Sequence, residues 1–297
     1  MRWKNARQSQ NVEDNRGKRG TGKVALGGGL GTIIMALVAI FIFKQPPQQV
    51  MQDVMSKRAA SSGGQSGPYV PSSPQEEENA KLVGAVLGLT EDVWDQAYPR
   101  LAQQYQKYNA AERYVHPKLN LFSGVTASAC GRADASVGPF YCPGDNEVYI
   151  DLAFFDELKR KYKAPGDFAQ AYVIAHEVGH HIQNLLGISA KVQSQRNRPD
   201  YNQLSVRLEL HADYLAGVWA NRAERQFQIL ERGDIEEGIR AASAVGDDTI
   251  QKRAQGHVVP DSFTHGSAEQ RIRWFTLGLK SGDPIAHSPF DGAYENL

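Results

Sequence analysis

His176-Glu177-Val178-Gly179-His180 is the stretch around which the rest of the chain is organised. On a helix, residues four apart lie on one face, so His176 and His180 can both reach one metal ion. Glu177 sits beside them and can act as base toward a water that the metal activates. The preceding residues, Phe168 to Ala175, read as a largely buried helix. Asp167 is the expected N-cap, with Gln170 three residues on completing a capping box, and Gly187 is the expected stop.

A bare match to this motif arises by chance in roughly one chain in a hundred of this length, so a second feature is needed. Glu209-Leu210-His211-Ala212-Asp213 supplies it, inside another helical pattern from Tyr201 to about Arg225. Glu209 and Asp213 are again four apart and share a face. A catalytic zinc takes three protein ligands and keeps one open position, and two histidines with a glutamate are a standard set. A ligating histidine also wants a carboxylate on its other ring nitrogen. The spacing therefore assigns His176, His180 and Glu209 to one zinc per chain, and Asp213 to orienting a ligand histidine. The longer motif with a third histidine is absent, because Gln183 and Leu186 stand where it needs Gly and His. His181 points off the metal-facing side, and His211 faces away from both carboxylates.

The chain has 297 residues, with 33 basic against 33 acidic, so no charge excess points to nucleic acid. Residues 1–23 hold Arg2, Lys4, Arg7, Arg16, Lys18, Arg19 and Lys23 against Glu13 and Asp14, and read as a solvated cytoplasmic tail. Residues 25–43 carry no charge and have the length of a transmembrane helix. Phe41-Ile42-Phe43-Lys44 offers no small-residue cleavage site, so the run reads as an uncleaved anchor over 24–44. Its basic flank places the N-terminus in the cytoplasm and everything after it outside the cytoplasmic membrane. Residues 45–79, rich in Pro, Ser, Gly and Gln, read as a flexible linker. The globular domain is expected over 80–297.

Within that domain, Lys81–Gly88 and Thr90–Tyr108 read as two helices, the second capped by Thr90. Strands and loops follow from Leu119 to Leu152, where Asn146–Leu152 alternates as a half-buried strand does. Helices are expected at Asp156–Tyr162, Asp234–Val245 and Thr249–Ala254. Ser267 caps a last one, with Ile272, Phe275 and Leu279 inward. Cys130 and Cys142 are the only cysteines, and in an oxidising compartment they pair. Closing so short a loop stabilises by roughly 3 kcal/mol on chain entropy.

The anchor, the linker, Cys142–Asp151, His176–His181 and Glu209–Tyr214 together resemble the bacterial putative neutral zinc metallopeptidase family over almost the whole chain. A more distant likeness joins Glu209–Asp213 and Thr264–Ile272 to the membrane-integrated prenyl-protein metallopeptidases and their bacterial heat-shock relatives. It implies that His265 or Arg271 stabilises the oxyanion, although those enzymes usually carry Pro where Gly266 stands. The wider group, which includes thermolysin, implies an α+β zincin-like fold: a small twisted sheet over the metal helix, with the second ligand helix beneath. The reading is a membrane-anchored zinc metallopeptidase that hydrolyses peptide bonds in the cell envelope. The Asn146–Leu152 strand, if at the sheet edge, holds an extended peptide substrate by strand addition. Two alternatives stay open: a non-catalytic anchored interaction module with a structural zinc, and a zinc amidase acting on cell-wall peptides.

Overall fold

Ser73-Pro74 carries the chain into its longest helix. The Ser73 hydroxyl accepts from the Glu76 backbone N–H at 3.2 Å, Pro74 takes the first turn, and Glu76 and Glu77 suit its positive end. In the computed structural model, which describes residues 1–17, 69–106 and 110–297, this helix α1 runs unbroken over Pro74–Tyr105. Two helices were expected here. Thr90 caps neither: it is fully buried mid-helix, where its hydroxyl donates to the Leu87 carbonyl at 2.7 Å. The domain also begins ahead of Ala80, since Pro74–Asn79 form the first turns of α1.

The fold is α+β. A four-stranded sheet has the order β1-β2-β6-β5, built from β1 (Val12–Asp14), β2 (Lys118–Phe122), β5 (Phe140–Cys142) and β6 (Glu147–Asp151). The first three run parallel, with Val12 beside Leu119 and Leu119 beside Val148, while β5 pairs antiparallel to β6. β6 is thus interior, bonded on both sides, and its central residues are buried on both faces. This corrects the expectation that Asn146–Leu152 offers a free edge. A hairpin of β3 (Val125–Ser128) and β4 (Gly131–Asp134) lies apart, and the Cys130–Cys142 disulfide, Cα atoms 5.8 Å apart, ties its turn to β5.

Seven helices follow: α2 (Ala153–Arg160), α3 (Asp167–Leu185), α4 (Ile188–Gln193), α5 (Tyr201–Phe227), α6 (Asp234–Ala244), α7 (Asp247–Gln255) and α8 (Ala268–Ser281). The capping box at Ser267 and Gln270 is present. At the start of α3, however, Gly166 is the N-cap at φ 122°, a region that favours glycine, and Asp167 is already helical. The Phe168 N–H there is satisfied by Glu237 of α6 at 3.1 Å. Helices α5 and α8 meet backbone to backbone: a Cβ at Gly278 would fall 2.0 Å from the Tyr214 carbonyl oxygen, and one at Gly217 2.1 Å from that of Phe275. Trp94, Tyr98, Phe168, Tyr172, Tyr214 and Trp219 fill the core between these layers.

Residues 1–17 depart most from expectation. They are not a solvated tail. Met1 and Trp3 are buried in the main core, and Val12–Asp14 forms the outermost parallel strand. The expected anchor at 24–44 and the linker as far as residue 68 lie outside the described residues. Among the described residues no helix is long and apolar enough to cross a membrane.

Candidate metal centre

Helix α3 presents His176 and His180 one turn apart, with ring centroids 4.8 Å from each other and planes at 87°. Helix α5 packs against it and brings Glu209 to the same point. The Glu209 carboxylate oxygens lie 3.3 Å from His176 Nε2 and 3.4 Å from His180 Nε2. A tetrahedral ion about 2.0–2.1 Å from each donor sets neighbouring donors about 3.3 Å apart, so this triangle has the size zinc needs. The close approach of the helices depends on Gly179, where a Cβ would stand 3.0 Å from the Ala212 backbone. Glu177, 8% exposed, sits on α3 between the two histidines.

Behind the triangle each histidine is held by its other nitrogen. His176 Nδ1 is 2.9 Å from Asp213 Oδ1, and His180 Nδ1 is 2.9 Å from Gln183 Oε1. Gln183 in turn donates to the Leu208 carbonyl at 2.6 Å, which binds α3 to α5. Asp213, fully buried, also accepts from Tyr172 Oη at 2.5 Å and from Arg271 Nε and Nη2 at 2.8 and 3.0 Å. Arg271 is 4% exposed. Its guanidinium bonds Asp213 and also lies 3.3 and 3.4 Å from His176 Nδ1 and Nε2. The two residues of the expected pair separate here. The His265 side chain is half exposed, 3.1 Å from Asp247 Oδ1. Gly266 beside it has φ 90°, which the fixed ring of proline could not adopt.

The electrostatics follow from this packing. Burial opposes charge on His176, but Asp213 and Glu209 against it raise the imidazole to about 9. Burial would raise the Asp213 carboxyl, yet Arg271 and His176 hold it below its ordinary value. Glu209, also buried, is held well below the usual range by His180 and His176. His181 and His211 are not among the converging donors. His181 is bound between the Val115 carbonyl and Tyr141 Oη, and burial lowers it to about 4. His211 packs edge-on against Phe290 and is lowered to about 3. Both lie off the faces that carry His176, His180 and Glu209, as their helical positions implied.

A second carboxylate group, Asp167, Asp234 and Glu237, is also close enough to hold a cation. It has one: the Met1 ammonium lies 2.6 Å from Asp167 and 3.3 Å from Asp234. Among the described residues His176, His180 and Glu209 are the remaining such group.

Residues 1–290 match the putative neutral zinc metallopeptidase family. The chain belongs to that family. It is 43% identical over 305 residues to the uncharacterized protein YpfJ of Escherichia coli K12, covering 98% of this chain and 99% of that protein. It is also 43% identical over 190 residues to the uncharacterized protein Mb2605 of Mycobacterium bovis, covering 61% of this chain and 64% of that one. No solved structure matches. In this family member, reading the sequence missed Tyr172 and Gln183. Both were findable, since Tyr172 precedes His176 by four residues and Gln183 follows His180 by three, on the same helix face.

Proposed function

We propose that the chain is a zinc-dependent peptidase with a zincin-like catalytic domain. The observation that carries this is the triangle of His176, His180 and Glu209, backed by Asp213 and flanked by Glu177. When bound, zinc supplies a Lewis acid that polarises the scissile carbonyl and acidifies a water. Glu177 takes the proton of the attacking water and passes it to the leaving amine. Asp213 accepts from His176 Nδ1 and so presents Nε2 to the metal, while Arg271 and Tyr172 keep that carboxylate ionised and in place. His265, at the exposed side of the site, is the candidate for stabilising the oxyanion. With β6 interior, the peptide partner is assigned to the outer edge of β5, whose Tyr141 is bonded to His181 and Asn184 of the metal helix.

The domain is placed in the cell envelope, a reading that the Cys130–Cys142 disulfide supports. A structural zinc is usually closed by four protein ligands, and three stand here, which favours catalysis over a scaffold. The test is Glu177→Gln. Zinc content and folding should persist while peptide hydrolysis falls by about 10²–10⁴-fold. Unchanged hydrolysis and unchanged cellular phenotype, with zinc intact, would return the protein to the interaction-module reading. Cleavage by the native protein of peptidoglycan stem peptides and not of protein substrates would favour the amidase.

A further inference from the structure

The first seventeen residues make contacts that a tail separated from the domain by a membrane could not make. Gly84 and Gly88 stand one turn apart inside α1, where each costs about 1 kcal/mol relative to alanine. Their use is visible. A Cβ at Gly84 would fall 2.3 Å from Gln8 Oε1, and one at Gly88 would fall 2.5 Å from the Arg7 carbonyl oxygen. The Ser9 N–H donates to the Gly84 carbonyl at 2.9 Å. The buried carboxylate of Glu91 accepts from Ser9, Asn11 and Arg7 at 2.5, 2.7 and 2.7 Å. Without the N-terminal segment this group would lose three charge-assisted bonds in a desolvated place.

The segment also closes on itself where it leaves the domain. The Arg16 guanidinium is nearly buried, bonds Glu76 at 3.0 Å and lies 4.6 Å over the Tyr69 ring. Tyr69 donates to the same Glu76, and a Cβ at Gly17 would stand 3.0 Å from Tyr69 Cβ. Gly17 and Tyr69 therefore meet at one point of the surface, with residues 18–68 between them in sequence. The basic residues acquire a different explanation as well. Arg2 donates to the Leu230 carbonyl, Lys4 pairs with Glu78, Arg7 with Glu91 and Asp92, and Arg16 with Glu76. Four of the seven positive charges that argued for a cytoplasmic N-terminus are thus placed against the domain that was to lie across the membrane.

We propose that residues 1–17 are the first strand and strap of the peptidase domain, so that they share one compartment with residues 69–297. The chain between Gly17 and Tyr69 then starts and ends on the same side of the membrane. A single crossing by residues 25–43 would pull the strap from its groove, so the two arrangements exclude each other. A return crossing by the polar residues 45–68 would bury Asp53, Lys57 and Arg58 in hydrocarbon. The proposal stands whether or not the site is catalytic.

The test uses the full-length chain in membranes. Both native cysteines are bonded, so single cysteines can be placed at exposed Gln10 and exposed Gln103. A membrane-impermeant maleimide is applied to spheroplasts before and after lysis. Equal labelling of Gln10→Cys and Gln103→Cys, each at the same stage, is the expected result. Labelling of one with protection of the other until lysis overturns the proposal. Protection of both until lysis keeps the shared compartment and instead removes the envelope placement, so the two readings fail separately. The double variant Gly17→Cys/Tyr69→Cys adds a second measurement. Its Cβ atoms lie close to disulfide distance, so the bond should form without added cross-linker, and mass analysis of the tryptic peptides should find the two segments joined. Two free thiols, with Cys130–Cys142 oxidised in the same sample, overturn the proposal as well.

Discussion

The metal centre and the N-terminal strap are both assembled from distant parts of the chain, yet only one of them was readable in advance. At the metal centre the partners sit four apart on two helices, His176 with His180 and Glu209 with Asp213. Helical periodicity therefore displays each half before the halves meet. The strap has no period. Arg7, Ser9 and Asn11 face Glu91 across eighty or more residues, and nothing local marks them as other than a polar, basic run. The difference teaches that composition misleads where a segment's partners lie wholly on other elements. A charge run reads as solvated until its counter-charges are known.

The largest effect should come from the ligand triangle. Glu209→Ala should reduce zinc from about one per chain to a small fraction, measured by metal analysis on the purified protein. Full retention would mean that another residue completes the set, and would break the comparison at its better-read half. Next comes the support behind it. Arg271→Met leaves the Asp213 carboxylate buried with one fewer partner, and removing one member of such a pair costs about 3–5 kcal/mol. Zinc affinity should fall about 10–100-fold with it. An unchanged denaturant midpoint would show that Tyr172 and His176 suffice to hold Asp213.

The strap can be tested on the same scale. Trp3→Ala should cost about 3 kcal/mol, in the range of large-to-small core changes. A solvated tail predicts less than about 0.5 kcal/mol, so chemical denaturation separates the two plainly. Replacing Cys130 and Cys142 by serine should lower stability by roughly 3 kcal/mol or less, through the loop between them.

Acid should give the most gradual effect. His181 is held neutral by burial, with its folded value lowered to about 4 against an ordinary 6.5. Between those limits the unfolded chain binds the extra proton, so stability rises with pH there and is fully present above about 6.5. On acidification from pH 6.5 toward 4 the denaturant midpoint should fall, by an amount worth up to about 3 kcal/mol from this group. His181→Phe should flatten that part of the profile. A profile as steep in the variant as in the native protein would assign the acid sensitivity to other groups.

What the sequence by itself determined is whatever repeats with the period of its own secondary structure. The helix with its two histidines and the glutamate between them, and the second helix with Glu209 and Asp213, follow from 3.6 residues per turn, and their grouping from the ligand set that zinc prefers. The Ser267 cap follows from local hydrogen bonding in the same way. Only the tertiary structure decided the rest. Thr90 caps nothing because core packing on both sides carries α1 past it. Asn146–Leu152 is interior because β2 and β5 bond its two edges, and alternation cannot report how many neighbours a strand has. Arg271 reaches Asp213 and His176 because α8 docks against α5 through Gly217 and Gly278. Residues 1–17 became part of the domain because α1 offers them two glycines and a buried carboxylate. The energy of that contact belongs to a pair of surfaces, and neither surface alone reveals it.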